Sequence, residues 1–578
     1  MVGVIELGAT ASTNVSSAKV TTLSQSVPSN EELDLLPAIV LCSRPSIFTP
    51  VILDVLSSLL TGYQEDLVSF LINGFIYGFR LGFSKTFLCH SLRNNTSAFK
   101  SSNDVSKAIL KELQRGHTSG PFISSPLPDF HCSPLGSAIK KDGSALVILD
   151  LSSPQGYSVN DGIPLDICHV KYNSFDNAVD MVNTFGSNCF MAKIDIKHAF
   201  RLCPVHPDDY HLLGYYWSGR YFFDKVLPFG CRSSPFIFNC FADALQWILV
   251  VKYSISGLTH YLDDFFLVAS SFHMCKRNMS LTCSVFQSIG VPIAEDKLEG
   301  PASVITFLGI EVDAAKSIIR LPNDKLSELI DLVRSWHSRK KCVKRELLSL
   351  IGSLSFACKV IKPGRIFLRR LIDLSTTVSK LHHHIDLTQP VRADLKMWSK
   401  FLQSWNGCSS FLSPPVSTDT VNLFTDASFL GFGAYFDNLW FSEAWPDSVQ
   451  AAITSRKINI AFLELFPVLV SVSTWGNILR HRQIVVFTDN EAIVSIWSSG
   501  SSKEPNLMAL VRVLFFLSVE FNCSITFHHV PGKWNLFADL LSRLQVQEFK
   551  LACPTAAPQP SIIPDSIMAT LDEILQDL

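Results

Sequence analysis

The sequence predicts a multidomain α/β protein, and three observations support this class. The chain has 578 residues, enough for several domains of ordinary size. Hydrophobic residues make up 47% and charged residues 17%, so large cores can form and disorder over most of the chain is excluded. Short β-branched runs alternate with helical patterns between residues 111 and 319, and again after residue 421, as they do in mixed α/β domains.

Composition and periodicity divide the chain into six segments. Leu326, Leu329, Ile330 and Val333 recur at helical spacing in the fourth segment, and a loop rich in Ser and Pro follows it. We find no internal repeat, which excludes solenoids and propellers. The predicted segments are a disordered N-terminus (1–32), an N-terminal helical extension (33–110), a first α/β unit (111–319), a helical region (320–408), a second α/β unit (421–545) and a C-terminal tail (546–578).

The sequence also indicates where the protein resides. Its N-terminus lacks a basic start followed by an apolar core, and its apolar runs are too short or too charged to span a bilayer. The 15 cysteines form no CxxC pair, so we expect reduced thiols. The 49 Lys and Arg nearly balance the 51 Asp and Glu, which argues against a uniformly basic coat for nucleic acid. We therefore expect an intracellular protein of the cytoplasm or nucleus, without a membrane partner.

A first group of carboxylates surrounds the tetrapeptide Tyr261-Leu262-Asp263-Asp264, which lies between two apolar runs and predicts a strand, a turn and a strand. An ordinary Asp-rich turn would have the same local pattern. Upstream, another apolar strand ends in Asp195. If the strands are neighbours, Asp195 and Asp263 meet at one end of a sheet. Such oxygen ligands can hold two Mg²⁺, or Mn²⁺ in its place, for in-line phosphoryl transfer.

The order of the segments SPLGSAIKKDG, LDLS, KIDIKHAF, LPFG…SSP, YLDD and Phe307-Leu-Gly309 resembles the reverse-transcriptase fingers and palm of retroelements. The resemblance covers roughly residues 110–320. It implies a right-hand polymerase fold with fingers, palm and thumb, in which the helical region serves as thumb and connection. It also implies that Asp195, Asp263 and Asp264 are the polymerase metal carboxylates.

The same resemblance implies contacts with the incoming nucleotide. Phe200 falls where the family has an aromatic gate against the ribose 2′-OH, and Phe229 and Gly230 would line the nucleotide pocket. Lys140 or Lys141 would approach the triphosphate, and Lys297 would be suited to protonating the leaving pyrophosphate.

This chain departs from the family at Leu146, where many members have an Arg that grips the triphosphate. Leucine cannot donate a hydrogen bond to phosphate. A slightly shifted alignment, with Lys140 and Lys141 providing the charge, would explain the difference. The other explanation is a weakened polymerase.

A second group of carboxylates lies in the second α/β unit. Asp426 and Asp489 each end an apolar strand, Glu464 lies in a long apolar helix, and Asp539 is part of the run HVPGKWNLFADLLSR. Each carboxylate alone could be a helix cap or a solvated position. In this order the four resemble the DEDD set of the retroelement ribonuclease H domain, which implies a mixed five-stranded sheet and two Mg²⁺ ions. His529 lies where the family has a histidine that aids turnover.

The helical region is locally basic, with 13 Lys and Arg against 5 Asp and Glu between Arg320 and Leu374. A basic cluster of five residues could follow the phosphates of a primer–template duplex, although a solvated helix face would have the same composition. The basic cluster consists of Arg339, Lys340, Lys341, Lys344 and Arg345.

Three consecutive histidines at 382–384 predict a polar loop rather than a metal site.

These observations predict a retroelement polyprotein segment that combines RNA- and DNA-directed DNA polymerase with ribonuclease H. The pattern at 71–83, followed by the segment at 120–128, looks most like DIRS-type, tyrosine-recombinase retrotransposons. The expected partners are an RNA template, a DNA primer, RNA–DNA hybrid and dNTPs, with other proteins encoded by the element. The rival hypothesis is a non-catalytic or nuclease-only relic that still binds nucleic acid.

Overall fold

The structure is a computed structural model that describes residues 47, 49–85, 92–139, 145–404, 409–410, 420–480, 482–500, 502, 504–521 and 523–576. The predicted disordered N-terminus and the two candidate triphosphate ligands Lys140 and Lys141 lie outside the described residues. The described residues form two compact units, one within 1–174, 192–267 and 276–299 and the other within 175–191, 268–275 and 300–578.

Helices and strands alternate from residue 53 to residue 302. Helix α2 has two acidic residues in its first turn, where the helix dipole favours negative charge, and it ends at Gly78 with a positive φ of 90°. In chain order the elements are α1 (Leu53–Leu59), α2 (Glu65–Tyr77), α3 (Thr96–Lys100), α4 (Ser102–Gln114), β1 (Thr118–Phe122), β2 (Leu135–Ile139), β3 (Ala145–Leu149), α5 (Phe175–Phe185), β4 (Phe190–Asp195), β5 (Gly214–Trp217), β6 (Arg220–Asp224), α6 (Ser234–Trp247), β7 (Leu258–Tyr261), β8 (Asp264–Ala269), α7 (Phe272–Ile289) and β9 (Glu299–Ala302).

Three sheets form from these strands, with the orders β1-β6-β5, β2-β3 and β7-β8-β4-β9. Strands β7 and β8 form the predicted hairpin, in which Tyr261 pairs with Asp264. Leu262, in the turn between them, has a φ of 52°, a left-handed conformation that is unfavourable for a branched side chain. Because β8 lies beside β4, the hairpin turn and the end of β4 belong to the same sheet, as the sequence predicted.

The rest of the chain contains eleven further helices and eleven strands among the described residues. The elements are β10 (Val304–Phe307), β11 (Ile310–Asp313), β12 (Ile318–Arg320), α8 (Asn323–Trp336), β13 (Lys341–Val343), α9 (Lys344–Ala357), α10 (Arg369–Thr376), β14 (His384–Asp386), α11 (Gln389–Ser404), β15 (Ser409–Ser410), β16 (Thr420–Ala427), β17 (Gly431–Phe436), β18 (Leu439–Ala444), α12 (Asp447–Thr454), α13 (Ile460–Leu479), β19 (Gln483–Thr488), α14 (Glu491–Ser499), α15 (Pro505–Glu520), β20 (Ser524–His529), α16 (Leu536–Ser542), α17 (Val546–Ala552) and α18 (Asp565–Gln576).

The expectation of an all-helical segment at 320–408 is wrong in one respect, because β13 and β14 form a two-stranded antiparallel ribbon. Strands of three residues are too short to produce the alternating pattern that predicts a strand. An ion pair of 3.2 Å between Lys341 Nζ and Asp386 Oδ1 links the two strands. The ribbon also places His384 in a strand, so only His382 and His383 lie in the predicted loop.

The second α/β unit contains the mixed five-stranded sheet that the sequence predicted, with the order β18-β17-β16-β19-β20. Strands β16–β18 are antiparallel neighbours, and β19 and β20 continue the sheet in parallel with β16. Helix α13 is apolar on most of its surface and packs against this sheet with fourteen buried residues. Its N-terminus is capped by Asn459, whose Oδ1 accepts a 3.0 Å hydrogen bond from the Phe462 N–H.

The C-terminal tail folds back on the same unit. In α17, Phe549 is fully buried and shares a hydrophobic cluster with Trp440 of the edge strand β18. The backbone N–H of Ser561 donates to the Trp440 carbonyl at 2.8 Å, and the Trp440 indole donates to the Ala557 carbonyl at 2.8 Å. The tail therefore covers the exposed edge of the sheet, a position where an uncovered strand would invite aggregation.

Two helices are long and apolar enough to cross a membrane by length and composition, which the sequence analysis did not expect. They run from Ser234 to Lys252 and from Ile460 to Leu479, with 56% and 72% of their apolar windows buried inside the protein. Core helices of soluble proteins have the same properties, so this is weak evidence for a membrane.

Candidate active sites

The first candidate site lies where β4 ends beside the β7–β8 turn. Asp195 is the last residue of β4 and is 6% exposed. The next backbone N–H, from Ile196, donates a 3.0 Å hydrogen bond to the Asp263 carbonyl, which fixes the strand end to the turn. Lys297 Nζ donates to Asp195 Oδ2 at 2.9 Å. The structure thus brings Asp195, Asp263 and Lys297 together, with Asp264 beginning β8.

The electrostatics of this site show that the three aspartates are close neighbours. Burial raises the pKa of Asp264 to about 6, and repulsion from Asp263 and Asp195 adds to the rise. Burial also raises the pKa of Asp263, and the Asp195 charge contributes. Carboxyl groups with raised pKa values in one cluster are typical of functional sites.

The residues predicted to line a nucleotide pocket lie close together. The Phe200 ring lies 5.3 Å from the Phe229 ring, and Phe229 is 46% exposed. Gly230 has a φ of 97°, and a Cβ at this position would approach the Leu149 carbonyl to 3.0 Å. Only glycine therefore fits this turn without strain.

Asn160 is a residue that the sequence analysis missed. It is 6% exposed, and its Nδ2 donates to the Gly230 carbonyl and to Ser152 Oγ, both at 2.8 Å. Its Oδ1 accepts from the Arg232 backbone N–H, also at 2.8 Å. One amide side chain therefore holds the turn that contains Phe229 and Gly230. Asn160 and Gly230 are seventy positions apart in the sequence, so no local pattern could indicate this contact.

Leu146 lies in β3, where it pairs with Ala138, and it is 38% exposed. An exposed position has room for a longer side chain. The structure therefore has room for a side chain as long as arginine at position 146.

The second candidate site lies at one end of the five-stranded sheet. Phe424 of β16 is aligned with Phe487 of β19, so Asp426 and Asp489, each two residues further on, come off neighbouring parallel strands side by side. His529 ends β20 opposite Thr488, the residue before Asp489.

Glu464 completes the acidic cluster from helix α13. Burial raises the pKa of Glu464 to about 8, and repulsion from Asp489 and Asp426 adds to the rise. Its Oε2 is buried without a hydrogen-bond partner. Burial likewise raises the pKa of Asp426 to about 6, with contributions from Asp489 and Asp539.

Two residues of helix α16 and its C-terminus, which the sequence analysis quoted without a role, bind these carboxylates. Ser542 Oγ donates to Asp426 Oδ2 at 2.5 Å. Arg543 Nε donates to Asp539 Oδ1 at 2.8 Å, which raises the pKa of the guanidinium. The Arg543–Asp539 contact lies within one helical segment, whereas the Ser542–Asp426 contact joins α16 to strand β16.

The donor sets fit divalent cations, although their oxygens do not converge on one point. In the described part of the chain, no three His, Cys, Asp or Glu side chains form a ready-made metal-ligand group. Lys297 pairs with Asp195 in the first site, and Arg543 pairs with Asp539 in the second. Burial raises the pKa values of Asp264, Asp426 and Glu464, and a hard cation such as Mg²⁺ or Mn²⁺ would stabilise the charged forms of these oxygen ligands.

The predicted basic cluster is partly engaged within the protein. Arg339 pairs with Glu346 at 3.3 Å and lies over the Trp336 ring. Lys341 pairs with Asp386, and Lys344 Nζ donates to the Val378 carbonyl at 2.6 Å. Lys340 and Arg345 are exposed. The cluster thus offers fewer unpaired cations than its composition indicates, and its role in binding nucleic acid stays a prediction.

These features define the class of protein: a mixed α/β protein with a carboxylate centre at one end of a palm-like four-stranded sheet. Residues 151–312, which contain Asp195, Asp263 and Asp264, match the family model described as reverse transcriptase (RNA-dependent DNA polymerase). The comparisons therefore support a retroelement reverse-transcriptase domain in this segment.

The chain is also similar to curated relatives and to solved structures. The chain is 23% identical over 454 residues to the Transposon Tf2-3 polyprotein of Schizosaccharomyces pombe, and 22% identical to the Tf2-7 polyprotein. Each alignment covers 76% of this chain, which spans only 30% of the relative. A foamy viral protease–reverse transcriptase dRH in complex with ds DNA has a TM-score of 0.47 at 15% identity, covering 87% of this chain and 86% of that one. Another, in complex with RNA/DNA hybrid, has a TM-score of 0.45 at 15% identity, covering 86% and 64%.

Proposed function

We propose that this chain is an RNA- and DNA-directed DNA polymerase with a second, ribonuclease H site, encoded by a retrotransposon. One observation supports the polymerase above all: Asp263, in a hairpin turn, and Asp264, which begins the following strand, lie beside the end of the strand that terminates in Asp195. This arrangement belongs to the segment that matches the reverse-transcriptase family.

In the proposed polymerase site, Asp195, Asp263 and Asp264 would hold two Mg²⁺ ions. Bound there, the ions would supply electrostatic stabilisation of the attacking and leaving oxygens in an in-line displacement. Phe200, packed against Phe229, would exclude a ribose 2′-OH from the pocket. The Lys297 ammonium already lies at the carboxylate cluster, where it can donate a proton to the departing pyrophosphate.

In the proposed nuclease site, a distinct set of four acidic residues would hold two Mg²⁺ ions and hydrolyse RNA in RNA–DNA hybrid. The observation that supports it is the pair of aligned parallel strands that end at Asp426 and Asp489, with Glu464 buried between charges of its own sign. His529 is exposed at the end of the neighbouring strand, where it can exchange protons with substrate or product.

Further parts of the proposal concern the wider setting. The N-terminal pattern at 71–83 and 120–128 supports a DIRS-type element as the source. We propose an RNA template, a DNA primer and dNTPs as substrates, other proteins of the element as partners, and an intracellular location without membrane attachment. The six sequence segments, from 1–32 to 546–578, are the proposed domain organisation.

The experiment that tests both activities is primer extension on an RNA template with Mg²⁺, run beside cleavage of an RNA–DNA hybrid. Replacing Asp263 and Asp264 together with Asn should abolish extension and spare cleavage. Asp489→Asn should abolish cleavage and spare extension. Each variant is the control for the other, because both preserve side-chain size while removing charge.

The alternative is a relic that binds nucleic acid without polymerising, and Leu146 is the observation that favours it. A leucine leaves the triphosphate without the arginine that many related proteins have. If the unmutated chain binds hybrid but neither extends nor cleaves, the relic is correct. Cleavage without extension would identify a nuclease-only protein.

A further inference from the structure

The turn at Gly532–Trp534 presents the exposed aromatic residue Trp534 beside the second carboxylate cluster. Trp534 is 70% exposed, an unusual state for the largest side chain. Single exposed hydrophobic residues are ordinary on protein surfaces, and Leu551 and Ile562 of this chain are more exposed still. The position of Trp534, the rigidity of its backbone and its neighbouring charge set it apart.

Its backbone is bonded to the segments that contain the carboxylates. The Val530 N–H donates to the carbonyl of Thr488, which directly precedes Asp489, at 2.9 Å. On the other side of the turn, Asn535 is 2% exposed, and its Nδ2 donates at 2.9 Å to the carbonyl of Thr425, which directly precedes Asp426.

Two further contacts complete the attachment. The Asp539 N–H donates to the Asn535 carbonyl at 3.0 Å, so the turn leads directly into the helix that contains Asp539. A Cβ on Gly532 would lie 3.2 Å from Asp489 Oδ2, which shows how closely the turn approaches that carboxylate. These contacts tie the turn to the segments that contain the carboxylates, so the backbone of Trp534 has a defined position beside the site.

The chemistry of the rim matches a nucleic-acid backbone. Lys533, the neighbour of Trp534, is exposed and can contact a phosphate. A flat indole offers apolar area to sugar rings, and its N–H can donate to a sugar or phosphate oxygen. An adjacent cation and aromatic group on a rigid turn are the combination that proteins use to bind nucleic-acid strands with little sequence preference.

We infer that Trp534 is a substrate-contacting residue of the second site, and that its indole packs on the sugar faces of an RNA–DNA hybrid while Lys533 contacts the adjacent phosphate. This inference rests on the proposed nuclease function, since it identifies how that site holds its substrate. In this role Trp534 holds the substrate and ligates no cation, so it contributes to binding and not to the chemical step.

The test uses the full chain and three variants: Trp534→Ala, Trp534→Phe and, as a matched control, Leu551→Ala. Binding of a labelled RNA–DNA hybrid is measured in EDTA, where no cleavage takes place, and steady-state cleavage is measured with Mg²⁺. Burial of about half an indole contributes enough free energy that Trp534→Ala should weaken binding about tenfold. The KM should rise by a similar factor while kcat stays unchanged. The hybrid affinity and the KM of Trp534→Phe and Leu551→Ala should stay close to those of the unmutated chain.

A calorimetric titration with Mn²⁺ alone separates contact from structure. If Trp534→Ala binds Mn²⁺ as the unmutated chain does and loses hybrid affinity, the inference holds. If the variant loses Mn²⁺ affinity as well, the turn serves the fold of the site and the inference is overturned. Unchanged hybrid affinity in Trp534→Ala also overturns it, and leaves the nuclease proposal intact. If the unmutated chain binds hybrid without cleaving it, the nuclease proposal fails while the binding comparison still decides the role of Trp534.

Discussion

Glu464→Gln should stabilise the protein in the absence of divalent cations, because the Glu464 carboxylate is buried between charges of its own sign. Its pKa is raised from an ordinary value of 4.5 to about 8. At about 1.4 kcal/mol for each tenfold change in acidity, the charged form costs at most about 5 kcal/mol of folding free energy. Because Glu464 is only partly buried, solvent screening reduces this to about 2 kcal/mol. Glutamine keeps the shape of the side chain and removes the charge.

The effect should depend on pH with a definite sign. Between pH 4.5 and 8 the folded state keeps a proton on Glu464 that the unfolded state has lost. The stability contributed by this group is therefore fully present below pH 4.5 and is lost as the pH rises through 8. Thermal unfolding in EDTA should show little difference between Glu464→Gln and the unmutated chain at pH 5. At pH 8 the variant should melt about 4–8 °C higher.

Divalent cations should reverse this order. Added Mn²⁺ should raise the Tm of the unmutated chain at pH 8 more than that of Glu464→Gln, because the variant lacks one anionic ligand. Glu548→Gln changes an exposed position in α17 and is the matched control. Its Tm should equal that of the unmutated chain at both pH 5 and pH 8. An equal Tm difference at pH 5 and pH 8, or a lower Tm for Glu464→Gln at pH 8, would refute the argument from buried charge.

Three further predictions concern other parts of the chain. Leu146→Arg should lower the KM for dNTPs about tenfold in primer extension, because it adds a charged hydrogen-bond donor at an exposed position; an unchanged KM would place triphosphate binding elsewhere. Asn160→Ala should cost about 1–3 kcal/mol in thermal unfolding and raise the KM for dNTPs, since it frees the Gly230 turn; a wild-type KM would contradict this. Truncation after Gln545 should lower the Tm by at least about 5 °C, because it removes buried Phe549 and uncovers Trp440; an unchanged Tm would show that the tail adds no stability.

The first site could be predicted from the sequence because its residues lie at the ends of short apolar strands. Strand ends are visible as apolar runs that stop at a polar residue, and Asp195 and the pair Asp263-Asp264 are of this kind. The sequence alone required the assumption that the two strands are neighbours, and the sheet order β7-β8-β4-β9 confirms it. Asn160 could not be found in this way, because it acts through a hydrogen bond across seventy residues and its local pattern is that of a loop.

The four acidic residues of the second site could also be predicted from the sequence, whereas the contacts that support them could not. Ser542 follows Asp539 closely in the sequence, but its hydrogen bond to Asp426 depends on how helix α16 packs on the sheet. The bond from Arg543 to Asp539 spans one helical turn, a pairing that many helical segments share without a functional role. The tail shows the same limit. The sequence predicted only a C-terminal tail, while the structure packs Phe549 and Cys553 against the edge strand. Burial of a few apolar residues in a proline-rich segment has no periodicity to recognise.

Charge arithmetic is informative only when the partners of each charge are known. Between Arg320 and Leu374 there are 13 basic and 5 acidic residues, which predicts contacts with many phosphates. Arg339 and Lys341, however, are already paired with carboxylates of the protein. Exposed ion pairs of this kind contribute little to stability and exchange readily with other anions. A phosphate backbone can therefore compete for these cations, so binding would be weaker and more sensitive to salt than the count implies.

At the two carboxylate sites, cationic side chains of the protein itself compete with divalent ions for the carboxylates. Lys297 holds Asp195 at 2.9 Å and Arg543 holds Asp539 at 2.8 Å, so in each site one ligand already has a cation from the chain itself. Both cations are more than half exposed and can move away at small cost. Burial and mutual repulsion make the remaining carboxylates favour positive charge, as the raised pKa values of Asp264, Asp426 and Glu464 show. A divalent ion satisfies that demand better than a single ammonium or guanidinium group, because it accepts several oxygens at once. The near-neutral net charge of −2 is thus consistent with a nucleic-acid enzyme, in which paired basic residues and concentrated acidic sites offset one another.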